Sequence, residues 1–385
     1  MYPLLRPLLF RLDPERAHSL TLHALRFTGQ FAPLRFFVQQ YFKTDPKPVS
    51  AFGLTFRNPV GLAAGYDKDG LAARGVATLG FGHLELGTVT PRPQPGNPKP
   101  RVFRLPEDHA VINRMGFPGK GADFLYKQLS ALPHPPTRTL RLRRSQSQTH
   151  SAQGATSQSL YRLILGINLG KNKNTPNEEA ARDYLTLFEQ FAPLADYLAI
   201  NVSSPNTVGL RRLQARDALE DLLGQLAKKR ESEEVPKRPG DTVSERLDHS
   251  PLATPHSPPI LVKLAPDLTD EELDDALDAI TRTGMDGVIA TNTTLRREGP
   301  RGESLRSPHA GETGGLSGAP LTAFSTEVIR KIHRRTGGIP IIGVGGIMSP
   351  DEAKAKLDAG AVLVQVYTGL IYEGPGLVKR IVERL

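Results

Sequence analysis

The sequence predicts an α/β protein folded as a (β/α)8 TIM barrel, with an N-terminal helical pair and three polar loop insertions. The first observation is a count: eight apolar runs alternate with helix-like stretches, as this barrel requires. The second is that the runs are apolar almost throughout, which is typical of parallel strands covered by helices. The third is that glycine and polar residues cluster where the runs end. An open, doubly wound sheet is the alternative architecture.

Residues 1–42 predict the helical pair. Asp13 is a suitable N-cap with Pro14 at the first helical position, the first helix ends at Gly29, and a second apolar segment runs from Phe31 to Phe42. The pair could cap the barrel or lie on a membrane, and composition leaves both open. On a membrane, five arginines would lie near lipid headgroups: Arg6, Arg11, Arg16, Arg26 and Arg35. No apolar run is long enough to span a bilayer, and residues 1–11 lack a signal-peptide cleavage pattern.

From Pro59 onward the strand–helix alternation is regular. The predicted strands are Val60–Ala64, His83–Thr88, Leu163–Leu169, Tyr197–Val202, Ile260–Leu264, Gly287–Thr291, Pro340–Val344 and Ala361–Tyr367. The predicted helices include Lys68–Leu79, Glu178–Phe191, Arg212–Lys229, Asp270–Thr283, Thr322–Thr336 and Pro350–Ala359.

Three polar stretches interrupt this alternation, at about 133–159, 230–259 and 296–312. Their composition predicts surface loops or disordered inserts, so we do not seek barrel chemistry in them. The first carries Arg138, Arg141, Arg143 and Arg144 but no aromatic side chains for base stacking. A solvated loop is therefore favoured there over an RNA-binding element, and no nucleic-acid partner is expected.

Composition limits the chemistry. The 385 residues include no Cys, which excludes disulfides, thiolate metal sites and a cysteine nucleophile or base. No metal site is predicted. The formal net charge of +9 favours anionic partners without identifying them.

The strand ends supply the candidate site. Asn201–Asn206 follows the fourth predicted strand; alone it would be read as an ordinary turn, but polar groups also end the other strands. After the first strand, Ala63–Gly70 combines small residues, which permit close approach to a flat ligand, with a cation at Lys68. A simple turn with Asp67 as helix cap explains that run equally well.

Further candidates follow the other strands. Thr88 ends the second strand, and a Pro-rich excursion leads from it to Asn113–Phe117, which is either a hairpin turn or a site for a carboxylate or amide. Asn168, Lys263 and Thr291–Thr293 lie at or just beyond the ends of the third, fifth and sixth strands. An apolar strand that ends in Lys263 needs an anionic partner, because a buried ammonium otherwise costs several kcal/mol.

The second half of the chain predicts a phosphate site. Glycine-rich turns occur at Gly314–Gly318, Gly343–Gly346 and Tyr367–Gly369. The last two follow strands seven and eight, where barrels commonly bind phosphate through backbone amides. The sequence contains neither a G-x-G-x-x-G dinucleotide fingerprint in the first strand–helix turn nor a P-loop.

Seven runs resemble class 2 dihydroorotate dehydrogenases, the quinone-linked flavoenzymes of pyrimidine synthesis: Asp13–His18, Ala63–Gly70, Gly87–Asn97, Asn113–Phe117, Asn201–Asn206, Ile289–Thr294 and Ile342–Ile347. The resemblance covers nearly the whole chain apart from the three inserts. It implies a barrel, residues 43–385, with one bound FMN, that oxidises (S)-dihydroorotate to orotate with ubiquinone or menaquinone as acceptor. It assigns residues 1–42 to membrane association and quinone access, peripherally on the cytoplasmic side of the cell membrane. Relatives of this class are usually monomers.

The resemblance also implies residue roles. FMN would lie against Ala63, Ala64, Gly65, Tyr66, Asp67, Thr88, Asn168, Asn201, Lys263, Thr291, Gly318, Gly346, Tyr367 and Thr368. The substrate would meet Lys68, Asn113, Arg114, Met115, Gly116, Phe117, Asn201, Asn206, Asn292 and Thr293. Ser204 matches the catalytic base, which is Ser in class 2 and Cys in class 1, so the lack of Cys agrees with class 2. Tyr66 stands where an apolar residue is more usual.

The implied reaction removes a proton from C5 and a hydride from C6 of dihydroorotate. A Ser hydroxyl is a poor base in water, so Ser204 must work in a water-poor pocket and pass its proton to Thr207 or a water. Lys68 would hold the substrate carboxylate and offset developing negative charge, and Lys263 would favour the reduced flavin.

Three rival functions are less consistent with the sequence. A barrel that reduces tRNA uridines would carry a catalytic Cys and an RNA-binding domain, and a cytosolic dihydroorotate oxidase would lack the N-terminal helical pair. A barrel kept only as a ligand-binding or membrane scaffold would not need Lys68, Ser204 and Lys263 together at its strand ends.

Overall fold

A computed structural model describes residues 2–132, 163–234 and 257–385. The insert at 133–159, with Arg138, Arg141, Arg143 and Arg144, lies outside the described residues, as does most of the insert at 230–259.

Three helices, rather than the predicted pair, make up the described part of residues 1–42: α1 (Tyr2–Arg11), α2 (Pro14–Gln30) and α3 (Ala32–Tyr41). The predicted pair corresponds to α2 and α3. Asp13 caps α2 as predicted, because its carboxylate accepts hydrogen bonds of 3.0 Å from the Glu15 and Arg16 amides. Helix α1 is held by distant partners that a local pattern does not reveal: Tyr2 donates to the Ile371 carbonyl and Arg6 to that of Tyr372.

A short antiparallel hairpin of β1 (Val49–Ala51) and β2 (Leu54–Phe56) precedes the barrel. Phe56 is fully buried, and its ring contacts the ring of His83 edge-on at 5.3 Å between centroids. Because His83 begins a barrel strand, the hairpin covers the amino-terminal end of the barrel and leaves the opposite end for the site.

In the described chain, eight parallel strands close into a barrel. They are β3 (Val60–Leu62), β4 (His83–Val89), β7 (Ile164–Leu169), β8 (Tyr197–Asn201), β9 (Ile260–Leu264), β10 (Gly287–Ala290), β12 (Ile341–Val344) and β13 (Leu363–Val366). Every predicted strand is present, with ends within two residues of the prediction. The circle closes where β13 pairs with β3, which confirms the (β/α)8 fold and rules out the open sheet.

Helices cover the barrel: α4 (Ala73–Val76), α6 (Ala180–Phe191), α7 (Arg216–Glu234), α8 (Asp270–Arg282), α9 (Thr322–Thr336) and α10 (Pro350–Asp358). The unpredicted α5 (Ala122–Ser130), α11 (Thr368–Glu373) and α12 (Gly376–Arg384) complete the layer. The prediction of a helix over Lys68–Leu79 was wrong for the residues before Ala73. There the Asp67 carboxylate binds the Leu71 and Ala72 amides at 2.8 Å, and Gly70 has a φ of 68°, so helical geometry begins only at Ala73.

A small antiparallel sheet, which the sequence did not predict, lies over the carboxyl end of the barrel. It contains β5 (Val102–Leu105), β6 (Ala110–Asn113) and β11 (Gly315–Gly318), in the order β11-β6-β5. The run Asn113–Phe117 is therefore not a hairpin turn; Asn113 ends β6, opposite Gly315. The insert 296–312 is a surface loop tied to this sheet, since Arg297 donates to the carbonyls of Glu312 and Gly314.

Candidate active site

A single cavity of about 490 Å³ joins the carboxyl ends of the barrel strands, the small antiparallel sheet, and helices α1 and α2. All but four of the site residues predicted from the sequence line it. They are Ala63, Ala64, Gly65, Tyr66, Lys68, Thr88, Asn113, Met115, Gly116, Phe117, Asn201, Ser204, Asn206, Lys263, Thr291, Asn292, Thr293, Gly318, Gly346, Tyr367 and Thr368. The barrel thus brings together residues that are up to 305 positions apart.

Two predicted site residues point their charged groups elsewhere. Arg114 donates to Glu312 at 2.6 Å and lies over the Phe103 ring at 4.6 Å, so its guanidinium belongs to the insert contact rather than to the cavity wall. Asp67 is fully buried and caps the turn before α4, and this burial raises the pKa of its carboxyl group. The side chain of Asp67 therefore fits the role of a helix cap rather than that of a ligand contact.

The other two exceptions lie just behind the wall. Asn168 accepts a hydrogen bond from Thr88 and one of 3.0 Å from Asn201, so it supports two residues that do line the cavity. The hydroxyl of Thr207 is one of four buried polar side-chain atoms without a hydrogen-bond partner in the described chain. Neither residue presents its side chain to the cavity.

The two adjacent serines after β8 have different environments. Ser203 is fully buried and held on both sides: its hydroxyl donates to Asn201 Oδ1 at 3.1 Å and accepts from Asn292 Nδ2 at 2.9 Å. Ser204 lines the cavity although only 5% of its surface is exposed, and its Oγ accepts a 3.2 Å hydrogen bond from the backbone N–H of Asn206. Geometry therefore selects Ser204, not Ser203, as the hydroxyl available to a ligand.

Four asparagine side chains form two pairs around this hydroxyl. Asn206 donates to Asn113 Oδ1 at 3.1 Å, which joins the loop after β8 to the end of β6. Asn292 lies 3.4 Å from Asn201 Oδ1, which joins the ends of β10 and β8. Amides orient a polar ring without exchanging protons with it, so this arrangement suits a flat ligand rich in N–H and C=O groups.

Lys68 brings a cation to the same wall. Its ammonium donates to the Gly65 carbonyl at 2.7 Å. Burial lowers the pKa of Lys68 to about 8, an effect that the carboxylate of Asp69 partly opposes. Because burial disfavours its charged form, an anionic partner such as a ligand carboxylate would stabilise the Lys68 ammonium.

A buried acid, which the sequence pattern did not reveal, faces Lys263. Glu85, in the middle of β4, is fully buried, and its Oε1 lies 3.6 Å from the Lys263 ammonium. Its carboxylate also accepts bonds from Asn168 and Gln365 at 2.8 Å and from the Tyr197 hydroxyl at 3.1 Å. The anion that Lys263 was expected to need is thus supplied from inside the barrel. A lone carboxylate within an apolar strand was the signal that could have identified it.

The glycine turns after β12 and β13 form the other wall. Gly345 and Gly346 have φ values of 116° and 69°, and a Cβ on Gly346 would lie 2.4 Å from the Thr322 backbone. Thr368 donates to Ser317 at 2.9 Å, so two hydroxyls stand beside the turn. A glycine turn packed closely on α9 and next to hydroxyl groups is compatible with the phosphate group that the strand positions led us to expect.

The far end of the cavity lies between α1, α2 and the barrel and is mostly apolar, with Leu5, Leu9 and Leu25 among its lining residues. Burial and the nearby Lys68 lower the pKa of His18 there to about 4, so its imidazole is neutral at pH 7. Burial raises the pKa of the Tyr2 phenol to about 12. This end therefore offers neutral hydrogen-bonding groups on apolar walls.

Comparison with known proteins identifies the family. The family model for dihydroorotate dehydrogenase matches residues 48–385. The chain belongs to the dihydroorotate dehydrogenase family. It is 46% identical over 386 residues to a dihydroorotate dehydrogenase (quinone) of Burkholderia cenocepacia, covering 100% of this chain and 97% of that protein. It is also 46% identical to the corresponding enzyme of a Shewanella species (strain ANA-3), covering 99% and 98%.

Solved structures agree with this assignment. The crystal structure of DHODH from Eimeria tenella in complex with ferulenol is 39% identical, with a TM-score of 0.76, and the match covers 97% of this chain and 90% of that one. Dihydroorotate dehydrogenases oxidise dihydroorotate in pyrimidine biosynthesis, and the quinone-dependent members use a flavin and a quinone. The hydroxyl, cation, amide pairs and phosphate-type turn of the cavity fit that chemistry.

Proposed function

We propose that the chain oxidises (S)-dihydroorotate to orotate with one bound FMN and passes the electrons to a membrane quinone. The observation that carries this proposal is the single cavity that joins Ser204, Lys68 and Lys263 to the glycine turns and then continues to α1 and α2. A substrate, a phosphorylated flavin and a quinone can each meet suitable groups along it.

The residues present fit FMN. The Gly345–Gly346 turn, Gly318 and the hydroxyl of Thr368 would hold its phosphate, and Lys263 with Thr88 and Asn201 would border its ring system. When bound, FMN supplies a hydride acceptor for the substrate and an electron donor for the quinone. Lys263 provides a cation next to this site, although Glu85 partly offsets its charge.

Ser204 acts as the base in this proposal. Its near-complete burial excludes water, which is the condition for a hydroxyl to take a proton from C5 of the substrate. The Thr207 hydroxyl, three residues further along the loop, has no hydrogen-bond partner in the described chain, so a bound water would have to connect it to Ser204 before it relays that proton outward. The backbone N–H of Asn206 donates to Ser204 Oγ. This bond holds the hydroxyl in place and stabilises negative charge on its oxygen.

Lys68 and the asparagines position the substrate. The Lys68 ammonium would exchange the Gly65 carbonyl for the substrate carboxylate, a charge-assisted contact stronger than the one it replaces. The amides of Asn113, Asn201, Asn206 and Asn292 would exchange bonds among themselves for bonds to the pyrimidine ring. These residues orient the ring for reaction but move no proton.

The N-terminal helices form the membrane face in this proposal. Large apolar side chains are exposed on α1–α3 and the turns between them: Leu4, Leu5, Leu8, Leu12, Leu20, Phe27, Phe31, Phe36, Phe37 and Tyr41. None of the described helices is both long and apolar enough to cross a membrane. Such a surface suits helices that lie at the lipid headgroups, with the exposed Arg11, Arg16 and Arg26 beside them. Arg6 faces the barrel instead, through its bond to the Tyr372 carbonyl.

A quinone would reach the flavin from this face, on the cytoplasmic side of the cell membrane. The apolar end of the cavity opens among α1 and α2, where His18 and Tyr2 carry no charge at pH 7 and so suit an apolar quinone ring. Because one chain supplies every element of this path, a monomer is sufficient for the whole reaction.

Orotate formation with and without an added quinone tests the proposal. The purified chain should produce orotate from dihydroorotate when ubiquinone or menaquinone analogues are present, and fumarate or NAD⁺ should not replace them. Ala17→Trp, which places a bulky ring in the cavity wall on α2, should slow quinone turnover while dihydroorotate still bleaches the flavin. Ala32→Trp, on the exposed surface of α3, is the matched control and should change neither step. Equal quinone turnover in both variants would contradict this quinone path.

Vesicle co-sedimentation tests the membrane face. Phe36→Ser with Phe37→Ser removes two side chains that are 58% and 68% exposed, and should release the chain from anionic vesicles. Tyr126→Ser, at the 41% exposed aromatic of α5 on the side of the barrel, should leave binding unchanged. Unaltered sedimentation of the double variant would exclude α3 as part of the membrane contact.

A further inference from the structure

A buried lysine outside the cavity has no role in the chemistry above. Lys356, on α10, has no exposed surface. Its ammonium bonds Ser325 Oγ at 2.6 Å and Thr326 Oγ1 at 3.0 Å, and lies 3.4 Å from the Thr322 carbonyl. All three partners belong to α9 and all three are neutral.

A charge in this position requires an explanation. Burying an ammonium costs several kcal/mol unless an anion compensates it. Within the described ranges the recorded partners of the Lys356 ammonium are all neutral oxygens, and burial lowers its pKa to about 7 against a smaller opposing effect of Glu352. A Met or Leu would fill the same space without the free-energy cost of burying an ammonium. We therefore expect the charge of Lys356 to interact with a group close to it.

The partners of Lys356 lead directly to the Gly345–Gly346 turn. The Ser325 hydroxyl, which accepts from the ammonium, lies 3.0 Å from the Gly345 carbonyl and can donate its own proton there. Thr322, whose carbonyl faces the ammonium, donates its hydroxyl to the Gly346 carbonyl at 2.7 Å. Two hydrogen bonds therefore separate the buried charge from both glycines of the turn, and both turn carbonyls are bound by α9.

In the part of the chain that the structure describes, no lysine of the cavity wall flanks the turn itself. Gly346 lines the cavity and Gly345 contributes only backbone atoms, while the lysines of the cavity wall, Lys68 and Lys263, follow β3 and end β9 rather than flank this turn. A phosphate dianion held by backbone amides alone would be under-compensated, because a buried anion needs a nearby positive charge as well as hydrogen bonds.

We propose that Lys356 is a positioning residue for the cofactor phosphate: its buried ammonium fixes the Gly345–Gly346 turn through Ser325 and Thr322 and supplies the positive charge behind it. This inference rests on the proposed function, because it requires a phosphorylated flavin at that turn. In this arrangement the buried lysine and the cofactor phosphate compensate each other's charge, with the backbone of the turn between them. A bound phosphate would then favour the charged form of Lys356, whose pKa of about 7 otherwise leaves it only partly protonated at neutral pH.

The test compares two flavins that differ only in the phosphate. The full chain is stripped of flavin and titrated with FMN and with riboflavin, and binding is followed by the quenching of flavin fluorescence. Lys356→Met keeps the length of the side chain and removes its charge, and should lower the ratio of FMN affinity to riboflavin affinity at least tenfold. The control is Lys354→Met on the same helix, which removes an exposed lysine paired with Asp358 at 2.7 Å and should leave the ratio unchanged.

A second variant protects the test against misfolding of the first. Ser325→Ala keeps the ammonium and its bond to Thr326 but breaks the connection to the Gly345 carbonyl, and should lower the same ratio about threefold or more. An unchanged ratio in a folded Lys356→Met, or in Ser325→Ala, would overturn the proposal. Failure of the unaltered chain to prefer FMN over riboflavin would instead refute the FMN assignment on which the proposal depends.

Discussion

The pairing of Glu85 with Lys263 predicts a specific pattern of stability changes. Both groups are buried, at 0% and 5% exposure, and Lys263 is the only cation in ion-pair contact with Glu85 in the described chain. Lys263→Met would leave the carboxylate with three neutral donors. Loss of one partner from a buried ion pair typically costs 3–5 kcal/mol. Because the two groups are 3.6 Å apart rather than in a short hydrogen bond, we expect about 3 kcal/mol here.

Removing both charges should restore much of this loss. Glu85→Gln with Lys263→Met leaves no uncompensated charge, at the cost of about 1–2 kcal/mol for one mismatched hydrogen bond among Asn168, Gln365 and Tyr197. The double variant should therefore be more stable than Lys263→Met alone.

Urea unfolding of the flavin-free chain, followed by circular dichroism, measures these differences without a contribution from cofactor binding. Lys354→Met is the exposed-lysine control and should change the free energy of unfolding by less than about 0.5 kcal/mol. Two results would show that Glu85 and Lys263 are not a compensated pair. One is a Lys263→Met variant as stable as this control. The other is a double variant whose loss of stability equals the sum of the losses in Glu85→Gln and Lys263→Met alone.

Three further predictions concern turnover and ligand binding. Ser204→Ala should retain FMN and orotate but lose about 10²–10⁴-fold in flavin reduction by dihydroorotate, measured by stopped flow, and near-normal reduction would exclude it as the base. Because the pKa of Lys68 is about 8, its ammonium is present below that pH and lost above it. The Kd for orotate should therefore rise between pH 8 and 10 in the unaltered chain but stay flat in Lys68→Met, and a flat profile in both would contradict the carboxylate contact. Arg211 donates hydrogen bonds to the carbonyls of Ser203 and Thr293 at 3.0 and 2.9 Å, and so ties together the loops that follow β8 and β10. Arg211→Met should reduce kcat by about 10²-fold with FMN retained, and unchanged kcat would show that these loops hold their positions without it.

The barrel could be predicted because its signal is local. Each barrel strand is a short, mostly apolar run with a polar or glycine residue within the next three positions, and this pattern can be read without knowledge of the strand's partners. The small antiparallel sheet gave no such signal. Its strands have four residues each, and β11 pairs with β6 about 200 positions earlier in the chain, so its formation depends on contacts that only the closed barrel creates.

The site was predictable to the extent that its residues end strands. Lys263 and Asn201 were found in this way, and the cavity contains both. Glu85 and Lys356 were missed because each lies inside an element, where a polar residue reads as an exception to the apolar pattern. The choice between Ser203 and Ser204 also needed coordinates, since only their hydrogen-bond partners distinguish two neighbouring hydroxyls.

The most direct test of the central proposal is the visible absorbance of the purified full-length chain under anaerobic conditions. We predict one FMN per chain, bleaching of its absorbance within the mixing time of a stoichiometric addition of dihydroorotate, and return of the colour on addition of a ubiquinone or menaquinone analogue. A chain that remains colourless after reconstitution with FMN, or that binds FMN but is not bleached by dihydroorotate, would contradict the account.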